Sequence, residues 1–108
     1  MKNLFGNIFD NLPAALPGEN FDTLLNIGNV RIERIVSNGQ ATPDGEWYDQ
    51  GWDEWVLLLE GSAGLLLEGE EEPRHLASGD YLMIPAHQRH RVAWTEPQDK
   101  TVWLSVHL

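Results

Sequence analysis

Residues 79–94, GDYLMIPAHQRHRVAW, decide how the rest of the chain is read. Gly79 and Asp80 form turn chemistry, and Tyr81 to Ile84 is a short apolar strand. Pro85 leads a loop carrying His87, and a second strand starts at His90. The partner of this stretch lies upstream, in residues 48–61, YDQGWDEWVLLLEG. Facing each other inside a small β-barrel, the two would offer nitrogen and oxygen atoms to a metal, or hydrogen bonds to a small molecule.

Working outward, the chain is a series of short strands with polar punctuation. Residues 30–37, VRIERIVS, are rich in β-branched residues. One face of that strand carries Val30, Ile32, Arg34 and Val36, so Arg34 sits among apolar neighbours. It either pairs with a carboxylate at a strand end or acts as an anion clamp inside a pocket. NGQATPDG, residues 38–45, is turn chemistry throughout. WVLLLE is near-continuously apolar, as in a strand buried on both faces. Gly61 breaks it, and residues 64–68 return as a hairpin. The acidic run at residues 68–73 reads as a solvated turn, not a metal site. Two last strands, residues 90–95 and 101–107, flank another polar turn. Strands at near-regular spacing with Gly, Pro and Asp between them predict an all-β sandwich or barrel.

The first 28 residues read differently. Leu4, Phe5, Ile8, Phe9, Leu12 and Leu16 mix with Pro13 and Pro17, which predicts an irregular arm with one helical turn lying on the barrel. Residues 21–26, FDTLLN, have helical spacing and stop at Gly28, read as a C-cap. The expected organisation is an arm over residues 1–28 and a barrel over 29–108.

Composition excludes several function classes. At 108 residues there is one domain and one modest core. There is no cysteine, hence no disulfide, thiolate site or thiol nucleophile. Seven Lys and Arg stand against seventeen acids, a net charge of −10, which excludes a basic stripe for nucleic acid or anionic membrane. No apolar run approaches membrane-spanning length, and no apolar h-region follows Met1, so a cytoplasmic protein is expected. No serine elbow and no glycine-rich phosphate loop occurs.

Two motifs resemble the cupin family. Glu54-x6-Gly61 resembles the end of the first cupin motif, and Gly79-x5-Pro85-x4-His90 the second. More narrowly, RIERIVSNGQATP, WYDQ, DEWVLLLEG, GDYLMIPAHQRHRV and VWLSVH resemble a subfamily of small single-domain bacterial cupins whose reaction is not established. The resemblance implies a jelly-roll barrel. It also implies that the faces carrying Glu54 and His90 line the interior. The histidine pair of the first motif is missing: its positions hold Tyr48 and Gln50, or Trp47 and Asp49. Trp94 stands where the second motif has asparagine, and His87 replaces a glycine.

The implied site is a metal set of Gln50, Glu54 and His90, with Asp49 replacing Gln50 if a bulge at Gly51 shifts the register. Such a set suits Zn, Mn, Ni or Fe(II). Arg34, Tyr48, Asp49, His87 and Trp94 would line the pocket. His90 and Trp94 share strand parity. Without metal, Glu54 would pair with Arg34, and His90 would be a pocket hydrogen-bonder. His87 shapes the turn or supplies a fourth ligand. His75 is a surface residue, and His107 sits at a dimer interface or the barrel mouth. Trp47, Trp52 and Trp94 would wall an apolar pocket. Two functions follow: a divalent-metal-dependent small-molecule enzyme of dioxygenase or isomerase type, or a non-catalytic cupin that binds a small molecule. A homodimer is expected. A metal-free enzyme would use His90 and Glu54 to shuttle a proton.

Overall fold

The structure is a computed structural model that describes residues 5–13 and 18–108. Leu4, Leu16 and Pro17, expected as parts of the arm, lie outside the described residues. Eight strands follow one another: β1 (Asn20–Ile27), β2 (Val30–Ser37), β3 (Glu54–Glu60), β4 (Ser62–Leu67), β5 (Arg74–Ala77), β6 (Tyr81–Ile84), β7 (His90–Thr95) and β8 (Thr101–His107). They form two antiparallel sheets, one in the order β1-β2-β8-β3-β6 and one in the order β5-β4-β7. No helix occurs among the described residues, nor therefore any helix long and apolar enough to cross a membrane.

This corrects the expected helical turn at residues 21–26. Those residues are the middle of β1, which pairs with β2 from Asn20↔Val36 to Ile27↔Val30. Gly28 is not a helix cap. With Asn29 it makes the two-residue hairpin loop, and its φ of 59° supplies the positive angle such a loop needs. In the arm, Asp10 N–H donates to Asn7 O, closing a turn with no helix behind it.

The core lies between the sheets. Val56, Leu58, Ile84 and Trp103 from the larger sheet meet Ala63, Leu65 and Leu76 from the smaller one. In β3 the alternation is sharp. Glu54, Val56 and Leu58 are buried, whereas Trp55, Leu57 and Leu59 are only half-buried. The apolar run therefore reflects one buried face and one half-covered face, not two buried ones. On the outer face Trp55 lies against Tyr81.

Gly61 joins β3 to β4 with φ 95°, and a Cβ there would fall 2.5 Å from Thr101 Oγ1 and 2.8 Å from Thr101 Cα. Only glycine admits that approach of the β8 backbone.

One irregularity in β7 matters for the site. Gly64 pairs with Trp94, but Leu65 pairs with Val92, so Ala93 is an extra residue. His90 and Thr95 are buried while Trp94 is exposed. The bulge turns Trp94 outward, where its indole lies over Gly64 and edge-on to His75.

Candidate functional site

Strand parity and register bring five titratable side chains together at one end of the space between the sheets. Glu54 opens β3 and is the register partner of His107 at the end of β8. His107 is in turn the partner of Arg31 in β2. Glu33 lies two residues on, on the same face as Arg31. His90 opens β7 on the opposite sheet and is held by a backbone bridge to Tyr48. Tyr48 N–H donates to His90 O at 2.8 Å, and His90 N–H to Tyr48 O at 3.1 Å.

The two histidines are fixed in opposite senses. His90 Nδ1 lies 2.8 Å from the Gln88 carbonyl. A carbonyl only accepts, so Nδ1 carries a hydrogen, and Nε2 faces Glu54 Oε1 at 3.7 Å. His107 Nδ1 lies 2.7 Å from Arg31 Nη2. A guanidinium only donates, so Nδ1 accepts and the ring hydrogen is on Nε2. That N–H faces Glu54 Oε2 and Glu33 Oε1, each at 3.5 Å. Ser105 Oγ–H donates to Glu54 Oε2 at 2.5 Å. Glu54 thus has one oxygen supplied with donors and one, Oε1, turned to Nε2 of His90.

These groups line a cavity of about 150 Å³. Gln50, Glu19 and Tyr48 also line it, while Ile35, Val56, Leu65, Val92 and Trp103 make apolar walls. A cavity of this size takes a ligand no larger than about one benzene ring with a short substituent. Tyr48 stacks on His90 with ring centroids 5.6 Å apart. Burial pushes its phenol up from the ordinary value, and the charges of Glu19, Glu54 and Glu46 push it the same way. It therefore stays a hydroxyl donor. Burial also raises the Glu19 carboxyl, against the bond from Ser37 Oγ–H that lowers it. The indole N–H of Trp103 is buried and has no partner.

Of the residues expected from the sequence, Tyr48, Gln50, Glu54 and His90 line this cavity, and Arg34, Asp49, His87 and Trp94 do not. Arg34 lies on the other face of β2. It pairs with Asp22 and donates to the carbonyls of Ile8 and Asp10, so it is neither an anion clamp nor the partner of Glu54. Asp49 and His87 bond to each other at 2.9 Å on the exposed side of the loop. His87 has φ 64°, the turn-shaping role. Trp94 is turned out by the bulge. Trp47 faces the guanidinium groups of Arg89 and Arg91. Trp52 stacks on His107 and on Arg31. The reading of the sequence missed Arg31, Glu33 and His107 as site residues. Their parity signal was available, since His107 shares a face with Trp103 and Ser105. Which face of β2 points inward was not.

Residues 35–107 match the family model of a cupin domain. The chain belongs to the cupin family. This cupin is 52% identical to a Ralstonia eutropha protein described as a "putative mannose-6-phosphate isomerase", over 95% of each chain, with a TM-score of 0.93. A cupin superfamily protein of Desulfitobacterium hafniense is 20% identical, covering 90% of this chain and 83% of that one, with a TM-score of 0.72. The polyketide cyclase RemF of Streptomyces resistomycificus is 21% identical, over 84% of this chain and 65% of its own, also at 0.72. The last two likenesses show the fold alone. A search of curated proteins returns no match.

Cupins often bind metal, so the donor set of this one was tested for fit. Among the described residues no group of three or more His, Asp or Glu is placed to hold a metal ion. His90 Nε2 and Glu54 Oε1 are two converging donors. His107 cannot be a third through Nε2, because that nitrogen carries its hydrogen. The remaining donors in the cavity wall are oxygens, the Gln50 amide and the carboxylates of Glu33 and Glu19, so the set falls short of a three-histidine centre.

Proposed function

We propose that this cupin binds a small, mostly apolar carbonyl compound between its sheets and moves a proton on it, as an isomerase or epimerase does. The observation that carries this reading is the facing of His90 Nε2 and Glu54 Oε1 at 3.7 Å. In the neutral ring, two lone-pair atoms so placed repel unless a positive charge lies between them. His90 gains that charge when it takes a proton from substrate, so the pair is better matched to the reacting state than to the resting one. In the step, a C–H beside the carbonyl gives its proton to His90 Nε2, and its electron pair moves onto the carbonyl oxygen. Glu54, held by Ser105 and His107, stabilises the imidazolium. The Tyr48 hydroxyl, kept protonated, is the donor available to the oxyanion. His90 then returns the proton, to the same carbon in an epimerisation or to the γ-carbon of an unsaturated compound in an isomerisation, and the electron pair on oxygen rebuilds the carbonyl.

The test is hydrogen–deuterium exchange into a panel of small carbonyl compounds in D₂O, followed by NMR. Exchange by the wild type that is lost in His90→Gln supports the reading. Exchange that survives in His90→Gln removes His90 as the base.

The same facing pair favours a second reading, in which Gln50, Glu54 and His90 hold Zn, Mn, Ni or Fe(II) in a metal-dependent dioxygenase or isomerase. A dication satisfies both acceptors as a proton does. Metal analysis of untagged protein decides it: stoichiometric metal lost in His90→Ala supports the site, and no uptake at micromolar ion ends it. A protein that shows neither exchange nor metal is a non-catalytic binding cupin.

We also propose that the working form is a homodimer joined along β1. Support comes from its position at the sheet edge, with Phe21, Leu24, Leu25 and Ile27 exposed. Light scattering should give the mass of two chains for the wild type and of one for Ile27→Lys.

A further inference from the structure

Two carboxylates, Glu33 and Glu54, line the cavity beside the single guanidinium of Arg31. Glu19 also lines it but bonds to Ser37, at the far end of β2 from Arg31. His107 Nδ1 accepts from Arg31, so that ring carries one N–H. Arg31 Nη2 is engaged with His107, and its Nε, buried and without a hydrogen bond, lies 3.8 Å from Glu33 Oε2. The one N–H of His107 is divided between Glu33 and Glu54 at 3.5 Å each. The Glu33 side chain is only 15% exposed, and its ion-pair contacts all exceed hydrogen-bond length. Glu54, 8% exposed, has no hydrogen bond on Oε1, where His90 Nε2 lies 3.7 Å away.

Carboxylates so buried require a cation or further N–H donors. We propose that the ligand of this cavity is a small organic cation, a primary or secondary ammonium group on an aromatic or aliphatic body. The ammonium lies against Glu33 and Glu54 on the cavity side of His107, whose Nε2 stands 3.5 Å from each, and adds shorter hydrogen bonds to both. The body lies against Ile35, Val56, Val92 and Trp103, and the ring of Tyr48 offers a face to the charge. The negative charges that raise the Tyr48 phenol report the same field at the cavity wall. The net charge of −10 draws cations toward the chain as a whole. A sugar phosphate fits poorly, since its dianion would meet the carboxylates of Glu33 and Glu54 with only Arg31 to offset them. The inference rests on this cavity being the working site, but not on His90 acting as a base.

The experiment uses the full chain, freed of metal with EDTA, and calorimetric titration with benzylamine, benzyl alcohol and benzoate at neutral pH. Benzylamine should bind about tenfold or more tighter than the alcohol, the difference a charge-assisted hydrogen bond makes, with benzoate weakest. Glu33→Gln should lower benzylamine affinity about tenfold and leave the alcohol unchanged. Arg31→Gln, which removes the competing cation, should strengthen benzylamine binding, a gain that misfolding cannot imitate. Equal affinities, tightest binding of benzoate, or no benzylamine binding at millimolar concentration would overturn the proposal. So would benzylamine binding that appears only when Zn is added back. His90→Gln should abolish proton exchange yet keep the preference for the amine, so the two readings stand or fall separately.

Discussion

Arg31 and His107 are register partners across β2 and β8, and the guanidinium of one fixes the tautomer of the other at 2.7 Å. Through His107 the arginine also orients Glu54, which it does not touch. Arg31→Met should release the ring. Imidazole ¹⁵N spectra of the wild type should show His107 protonated at Nε2, and those of Arg31→Met a mixture of tautomers. Arg31→Lys, which keeps a donor, should restore much of the wild-type pattern. An unchanged His107 spectrum in Arg31→Met would mean that the carboxylates alone set the tautomer.

Two glycines should differ in what they tolerate. A Cβ on Gly64 would fall 2.1 Å from Trp94 Nε1, but that indole is on the outer face and can swing away. A Cβ on Gly61 meets the backbone of Thr101 and Lys100, at a φ of 95°. Gly64→Ala should cost about 1 kcal/mol and Gly61→Ala about 3 kcal/mol or more in urea unfolding. The opposite order would place the tight contact in β7 and not at the β3–β4 turn.

Glu19 gives a pH dependence with a definite sign. Burial raises its folded-state value above the ordinary 4.5. Its contribution to stability is therefore intact below pH 4.5 and falls as pH rises through the folded value. Glu19→Gln stays neutral and can still accept from Ser37. Wild type should lose stability relative to this variant between about pH 4.5 and neutrality, and the two should run parallel below that range. A gap that widens toward acid would reverse the sign and exclude burial as the cause.

Arg34 is 8% exposed and ties the turn at residues 8–10 to β2 through two carbonyls, with Asp22 at 2.5 Å. Its loss leaves those acceptors without their donor. Arg34→Met should cost about 2–3 kcal/mol. It should also raise hydrogen exchange at the Asp10 amide, which bonds to Asn7 O, while exchange in β3 and β8 changes little. Equal acceleration throughout would show that the arm is integral to the core.

The strands from β2 onward were legible because local signals agreed: β-branched runs, turn residues at Gly61 and Gly79, and alternation around Glu54. Glu54 and His90 were placed correctly by parity. β1 was misread although Gly28-Asn29 is a hairpin signal. FDTLLN at a sheet edge buries little of either face, so no period of two appears in it. For Arg34 the expected carboxylate partner is present in Asp22, but the place in the pocket is not. Its apolar neighbours suggested the interior, whereas the turn at residues 8–10 covers that face from outside. The grouping of Arg31, Glu33, Glu54 and His107 depends on β8 pairing with both β2 and β3, a non-local register that no window of sequence contains.

The bulge at Ala93 is what keeps an indole out of this cavity. Val92 lines the space between the sheets and Thr95 is buried, yet three residues separate them, an odd spacing that a regular strand cannot place on one face. The extra residue absorbs the odd step and leaves Trp94 on the outside. Deleting Ala93 would restore plain alternation with the same facing, whereas smoothing the bulge at unchanged length would swing the indole inward and fill the space. Room for a ligand is here a product of backbone irregularity, not of small side chains.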